Sequence, residues 1–170
     1  PRNSRVSFLR TYNVVLELSN SISLDIYILL NYGGTEMKAL ILAAGMGTRL
    51  KPVTNYKPKC MVEVNGTPII FKQIDNLRKN DINDITVVAG YKSAMLKAAL
   101  DEYYPFVNMI TNNEHESTNN MYSAYLAQHK FIDSSFLLMN GDVFFDDIII
   151  TELLSDRYID SIVVEKGVYI

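Results

Sequence analysis

The stretch from Lys38 to Pro68 constrains this chain more than any other part of its 170 residues. It opens with a short apolar run, Ala39 to Leu42, which predicts a buried β-strand. A loop of small residues that contains Gly45 and Gly47 follows this run. Two glycines let the backbone approach a ligand closely and turn several N–H groups toward one anionic oxygen. A strand that leads into such a loop therefore predicts a phosphate-binding turn.

The sequence on both sides of this loop contains cationic residues and no acidic ones. Between Lys38 and Val62 the chain has no carboxylate. We expect Arg49 and Lys59 to neutralise phosphate charge that backbone N–H groups alone cannot balance. The Walker string of Gly, four residues and Gly-Lys-Ser/Thr does not occur, and Leu50 stands where the dinucleotide fingerprint needs a third glycine. The loop is thus predicted to bind a polyphosphate in another way.

The composition is that of an ordinary globular protein, with 48% hydrophobic and 21% charged residues. A net charge of -3, with the cations gathered locally, gives no support for nucleic-acid binding. The single cysteine, Cys60, fits a reducing compartment and a cytoplasmic location, and it is interpreted as a small buried side chain. No apolar run approaches the ~18 residues of a membrane span, so membrane insertion is not expected.

Strand-like and helix-like patterns alternate after the loop, which predicts a mostly parallel sheet covered on both faces. Strands are predicted at 85–89, 107–110 and 136–139, with helices between them. Asn65-Gly66 predicts a hairpin turn, followed by a helix with Thr67 as N-cap and Pro68 as its first residue. Ser93 is predicted to cap the next helix, and a third helix is expected to start near Thr118.

Asp142 belongs to the second element of the chain to which the pattern assigns chemistry, after the glycine loop and its cations. It follows the strand predicted at 136–139, and ligands of open α/β sheets collect beyond the carboxyl ends of the strands. A carboxylate aimed at phosphates usually holds a divalent cation, because like charges would otherwise repel. Asp142 is therefore predicted to bind Mg²⁺, whereas Asp146 and Asp147 are interpreted as acids at the start of a helix.

The string Gly45-x-Gly47-Thr48-Arg49, with Pro58-Lys59 beyond it, resembles the signature of sugar-1-phosphate-type nucleotidyltransferases, the pyrophosphorylases. The resemblance implies a three-layer α/β/α, Rossmann-like (GT-A-like) fold with a mostly parallel sheet. It also implies nucleotidyl transfer from a nucleoside triphosphate. It covers residues 37–170, and the family's second metal-binding acid is expected beyond Ile170. The domain is therefore expected to be truncated at its C-terminus.

The resemblance and the residue chemistry together give a set of predicted site residues. Arg49 and Lys59 are expected to be catalytic, on the departing pyrophosphate and the α-phosphate respectively. Asp142 is the expected Mg²⁺ ligand. The nucleotide is expected to contact residues of the glycine loop, the turn at the end of the second strand and the asparagine-rich stretch: Leu42, Ala43, Ala44, Gly45, Met46, Gly47, Thr48, Gly90, Tyr91, Asn119 and Asn120.

The run Asn119-Asn120-Met121-Tyr122-Ser123 looks like the choline-phosphate cytidylyltransferase branch of bacterial type. It favours CTP and phosphocholine, while UTP or dTTP with a sugar 1-phosphate stays open. A non-catalytic nucleotide-sensing domain of the same fold is a more distant alternative. N-capping explains Asn119 as well as ligand contact does. His115 and His129 are interpreted as surface residues.

Residues 1–36 do not share the pattern of the rest of the chain. Their apolar runs suggest a strand or two, and Asp25 interrupts the second run. We expect residues 1–36 to be an N-terminal extension, whose native or non-native origin stays open, and residues 37–170 to be the N-terminal portion of a nucleotidyltransferase domain.

Overall fold

The computed structural model describes residues 26–29, 36–155 and 162–163. Its strands and helices alternate along most of this length, as the sequence pattern predicts. The strands are β1 Ile26–Leu29, β2 Met37–Ala43, β3 Glu63–Val64, β4 Thr67–Pro68, β5 Asp84–Ala89, β6 Asn108–Thr111, β7 Ser135–Asn140 and β8 Ile162–Val163. The α-helices are α1 Ile69–Lys79, α2 Ser93–Tyr103, α3 Asn120–Ala127 and α4 Ile148–Ser155.

Six strands form the main sheet, in the order β6-β5-β2-β7-β1-β8. The four strands β6, β5, β2 and β7 are parallel, and β1 pairs antiparallel with both β7 and β8. The strand β2 lies between β5 and β7, so the glycine loop leaves the middle of the sheet. The prediction of a mostly parallel sheet is confirmed.

Side chains of β2 alternate between two apolar cores, one on each face of the sheet. Ala39 and Ile41 join the larger core with residues of α1, α2 and α4, while Leu40 and Leu42 join a smaller core with α3. Because both faces are covered by helices, the fold is a three-layer α/β/α arrangement. Within the described part of the chain, no helix has the length and apolar character needed to cross a membrane.

Two predicted helix starts are wrong. Thr67 pairs with Val64 in the β3–β4 hairpin, so it cannot cap a helix, and α1 begins at Ile69 after Pro68. The hairpin turn itself is confirmed, with Asn65 and Gly66 both at positive φ.

The other wrong start concerns Ser93, which is the first residue of α2 and not its cap. Lys92 occupies the N-cap position in a left-handed conformation, without a side-chain cap bond. The third helix begins at Asn120, two residues after the predicted start, because Asn119 caps it.

The strand β1 lies inside the segment predicted to be an N-terminal extension. Ile26 to Leu29 pair in register with Met139 to Phe136 of β7. This part of the segment joins the sheet, which agrees with the strand suggested by its apolar pattern. The domain boundary at Met37 stays a prediction, and the remainder of residues 1–35 lies outside the described residues.

Candidate active site

The glycine loop is held in a fixed shape by the residues that follow it. Gly47 has a φ of +62°, and Thr54 donates a hydrogen bond from Oγ1 to its carbonyl oxygen at 2.9 Å. A Cβ atom built on Gly47 would lie 2.9 Å from Cγ2 of Thr54 and 3.0 Å from Cβ of Lys59. Only glycine fits this left-handed, crowded position. The same crowding brings Lys59 directly against the loop.

Lys59 and Asp142 form an ion pair, although 83 positions separate them in the sequence. Lys59 begins a short 3-10 turn after Pro58, and Asp142 follows the end of β7. Both side chains are about one-third exposed, at 35% each. This cation and this carboxylate, both predicted to be site residues, are thus in contact at one edge of the sheet.

The turn that carries Asp142 is attached to the end of β2. The backbone N–H of Gly141 donates to the carbonyl oxygen of Leu42 at 2.8 Å, which extends the parallel pairing of β2 and β7 by one bond. The glycine loop and the Asp142 turn thus leave adjacent strands at the same level.

A cleft of about 270 Å³ opens between these two turns. Arg49 is exposed and lines the cleft, and it makes no ion pair with any described residue. Most of the predicted site residues line this cleft. Its lining comprises Leu42, Ala43, Gly45, Gly47, Thr48, Arg49, Leu50, Lys59, Cys60, Asn120, Asn140, Gly141 and Asp142.

Ala44, Met46, Gly90, Tyr91 and Asn119 are predicted site residues that do not line this cleft. Ala44 is buried and Met46 is 37% exposed. The N–H of Tyr91 donates to the carbonyl oxygen of Ala44 at 3.0 Å, so the turn after β5 lies directly beside the glycine loop. The Tyr91 hydroxyl donates to the carbonyl oxygen of Thr54 at 3.0 Å, and Thr54 in turn donates to the Gly47 carbonyl oxygen of the loop.

His115 packs on Gly90, which corrects its interpretation as a surface residue. A Cβ atom on Gly90 would lie 2.6 Å from Cβ of His115 and 2.7 Å from the Ala44 carbonyl oxygen. His115 is half-buried, and its Nδ1 lies 3.1 Å from the carbonyl oxygen of Asn112. His129 is exposed, as predicted.

The neighbouring asparagines Asn119 and Asn120 have different contacts. Oδ1 of Asn119 accepts a hydrogen bond from the N–H of Tyr122 at 3.2 Å, which is an N-cap. Asn120 lines the cleft and donates from Nδ2 to Oδ1 of Asn140 at 3.0 Å. Ser123 is buried and accepts from Asn112, so it is structural.

Asn140 and Cys60 line the cleft but were not predicted as site residues. Asn140 ends β7 and immediately precedes Gly141-Asp142, so its place at a carboxyl strand end was a usable signal. Cys60 is buried, which confirms its interpretation as a small buried side chain, and this burial raises the pKa of its thiol to about 12.

Among the described residues, no group of three or more His, Cys, Asp or Glu side chains could enclose a metal ion. A metal held by Asp142 would need further ligands from the substrate and from water. Mg²⁺ is commonly bound in this way, through one or two carboxylates and substrate phosphates.

Known proteins are similar to this chain in both sequence and fold. A family model described as "Nucleotidyl transferase" matches residues 38–159. The choline-phosphate cytidylyltransferase of Streptococcus pneumoniae is 41% identical over 98 residues, which cover 58% of this chain and 42% of that protein. The UTP–glucose-1-phosphate uridylyltransferase AglF of Haloferax volcanii is 39% identical over 110 residues, covering 65% and 45% respectively.

A solved structure agrees with these sequence matches. The CTP:phosphocholine cytidylyltransferase from Streptococcus pneumoniae superposes with a TM-score of 0.58 at 35% identity, over 66% of this chain and 50% of that one. The chain spans about half the length of the relatives it matches. The family model matches well over half of the chain, from the first residues of β2 to beyond α4. This chain therefore belongs to the nucleotidyl transferase family.

Proposed function

We propose that the protein transfers a nucleotidyl group from a nucleoside triphosphate to a phosphate monoester. An oxygen of the monoester forms a bond to the α-phosphorus, and the bond from that phosphorus to the departing pyrophosphate breaks. One observation carries the proposal: Lys59 contacts Asp142 beside the glycine loop, so cation, carboxylate and backbone donors share one cleft.

The charges in the cleft suit this reaction. The attacking monoester is already an anion, so no general base is required, and catalysis reduces to alignment and charge neutralisation. In the proposal, the N–H groups of Gly45 to Thr48 hold the triphosphate and Arg49 binds the departing pyrophosphate. Lys59 lies between the α-phosphate and the incoming oxygen, where negative charge develops.

Mg²⁺ is the proposed cofactor, with Asp142 as its protein ligand. The donor set fits, because one carboxylate in a cleft can share the ion with phosphate oxygens and water. When bound, the ion would offset the charge that develops on the transferring phosphoryl group. Asp142 also holds Lys59 in the cleft through the observed ion pair.

CTP and phosphocholine are the proposed substrates. Their support is the Asn119–Ser123 run and the likeness to the pneumococcal cytidylyltransferase. The second candidate is UTP or dTTP with a sugar 1-phosphate, and the likeness to the Haloferax uridylyltransferase favours it. We also propose a cytoplasmic location, where nucleoside triphosphates and a reduced Cys60 are found together.

A panel of CTP, UTP and dTTP, each combined with phosphocholine or glucose 1-phosphate, tests the proposal on the full-length protein. Pyrophosphate release is the measurement. We expect release with CTP and phosphocholine; release only with UTP or dTTP and the sugar phosphate selects the second candidate. Triphosphate binding without any release would indicate a sensing domain and overturn the proposed transfer.

Two matched variants connect the activity to the cleft. Asp142→Asn is expected to lower pyrophosphate release about a hundredfold, by analogy with the loss of one transition-state donor. Asp146→Asn is the control, because this carboxylate is 79% exposed and pairs only loosely with Lys72 at 3.6 Å. Equal activity in both variants would show that Asp142 has no catalytic role.

A further inference from the structure

We propose that Gln73 and Asn76 on α1 are positioning residues that hold the Asn140–Phe145 turn and so fix Asp142 opposite Lys59. The catalytic consequence rests on the proposed function, whereas the positioning itself does not. Neither side chain lines the cleft, so neither is expected to touch a substrate.

The Gln73 amide bridges the two sides of the Asp142 turn. Its Nε2 donates to the carbonyl oxygens of Asn140 and Val143, each at 2.8 Å. These two residues flank Gly141-Asp142, so one side-chain nitrogen closes the turn from both ends. Asn76, one helical turn further along α1, donates from Nδ2 to the carbonyl oxygen of Phe145 at 2.7 Å. Both amide side chains are fully buried.

The side-chain oxygens of these two amides differ from their nitrogens. Among the described residues, Oε1 of Gln73 and Oδ1 of Asn76 have no hydrogen-bond partner and are buried. A flipped Gln73 amide would place its oxygen against two carbonyl oxygens, so the donor orientation is determined by the surroundings. Leaving a buried oxygen unpaired lowers stability. Two amides kept at that cost indicate that their donors serve to hold the turn.

Further contacts along the same side of α1 continue the attachment. Asn80 donates from Nδ2 to the carbonyl oxygen of Asp147 at 3.4 Å, and Lys79 pairs with the Asp147 carboxylate at 3.0 Å. The segment 140–147 is therefore attached at four of its residues to α1 and to the C-cap residue Asn80: Asn140, Val143, Phe145 and Asp147. Loss of the innermost bonds, those of Gln73, loosens the part that carries Asp142, which still keeps the bond from the Gly141 N–H to the Leu42 carbonyl oxygen.

Removal of the Gln73 donor would take one hydrogen bond from the carbonyl oxygen of Val143 and one from that of Asn140, which also accepts from the Val143 N–H at 3.4 Å. Buried carbonyl groups that lack a donor favour conformations that expose them to water. Opening of the turn moves Asp142 away from Lys59 without disturbing the core. The glycine loop remains in place, because Thr54 and Tyr91 hold it through hydrogen bonds that do not involve Gln73 or the Asn140–Phe145 turn.

Hydrogen exchange in Gln73→Leu tests the positioning directly, since leucine keeps the volume and removes both bonds. We expect exchange of the Gly141 and Val143 amides to become about tenfold faster, because each lost bond shifts the opening equilibrium. Ile74→Val is the matched control: Ile74 is buried on the same helix but faces the large core. Equal exchange in the two variants would overturn the proposal.

Steady-state kinetics of the full-length protein test the consequence. We expect Gln73→Leu to lower kcat about tenfold, with the KM for the triphosphate within about twofold of wild type. Faster exchange with unchanged kcat would refute the positioning role in catalysis. If the wild type releases no pyrophosphate with any triphosphate, the proposed function fails and exchange alone decides this inference. If Gln73→Leu does not fold, Asn76→Leu, which removes a single bond, is assessed in the same way.

Discussion

Lys59 is the residue on which the proposed chemistry depends most. Its ammonium group contacts Asp142, and its Cβ lies against the glycine loop, so it is fixed by both turns of the cleft. A cation placed in this way can stabilise the negative charge of the bound triphosphate and that of the transition state without moving its side chain.

Lys59→Ala is predicted to lower turnover about a hundredfold or more, since deletion of a transition-state donor costs about 2.7–4 kcal/mol. Pyrophosphate release by the full-length protein is the measurement. Lys57→Ala is the control, because Lys57 lies two positions away and pairs with Glu63 at 2.8 Å on the surface. Unchanged turnover in Lys59→Ala would show that the assigned role is wrong.

Gly45 and Gly47 are predicted to respond differently to alanine. Gly47→Ala should lower the free energy of unfolding by about 1–2 kcal/mol, because its left-handed conformation disfavours a Cβ. A Cβ on Gly45 meets no atom within 4 Å, so Gly45→Ala should leave the unfolding free energy within about 0.5 kcal/mol of wild type.

Ligand binding separates these two glycines further. Gly45 lines the cleft, so its methyl group would occupy space assigned to phosphate oxygens. We expect Gly45→Ala to weaken triphosphate binding roughly tenfold, consistent with an overpacking cost of about 1–3 kcal/mol. Urea unfolding and calorimetric titration with CTP measure the two effects. Wild-type affinity in Gly45→Ala would contradict a triphosphate at this loop.

The helix α3 is the element whose start depends on a single side chain. Asn119 caps it, and the next residue, Asn120, lines the cleft. The Asn119 cap fixes the first turn of α3 and therefore the position from which the Asn120 amide donates to Asn140.

Asn119→Ala is predicted to lower the free energy of unfolding by about 1 kcal/mol, because the Tyr122 N–H loses its acceptor. Asn119→Asp keeps an oxygen at the same place and should stay within a few tenths of a kcal/mol of wild type. Urea unfolding measures both variants. Equal destabilisation would indicate that the side-chain oxygen at this position does not cap the helix.

Elements with strong local patterns could be predicted from the sequence. The apolar runs of β2, β5 and β7 located the parallel strands, and the Asn65-Gly66 turn was found because few residues adopt positive φ. The helix starts at Thr67 and Ser93 were predicted wrongly because strand pairing and a left-handed Lys92 override the local capping preference.

The site could be predicted where the sequence itself carries a local signal. Asp142 was predicted from its place after a strand and Lys59 from the cation-rich stretch and the Pro58-Lys59 string, and the structure brings the two side chains into contact. Gln73 had no such signal, because a glutamine on a helix is ordinary until the Asn140–Phe145 turn is folded against it. Its role follows from contacts between residues distant in sequence.

At the scale of the whole molecule, β1 covers the edge of β7 that would otherwise be open. An uncovered strand edge is a template for pairing with another chain. Deletion of residues 1–36 from this chain is predicted to lower the free energy of unfolding by about 2 kcal/mol or more, since each net hydrogen bond contributes roughly 0.5–1.5 kcal/mol.

Urea unfolding and light scattering measure the effect of this deletion. We expect lower stability together with increased scattering, because the exposed edge of β7 can pair between molecules. A substitution of Leu29 by proline, which prevents ladder bonding at one position, should give a smaller change in the same direction. Full stability and no scattering after deletion would show that β1 contributes nothing to the sheet.

The central place of β2 has a consequence for how the molecule is made. Leu40 pairs with Thr86 on one side and with Leu138 on the other. A growing chain leaves the ribosome N-terminus first, so β2 is synthesised before both of its partner strands. It can complete its pairing only after β7, the later of the two, has been synthesised. Until then its apolar flank stays accessible to chaperones and to other nascent chains. Strand pairings between segments distant in sequence also form slowly, so the pairing of β2 with β5 and β7 is completed late in folding.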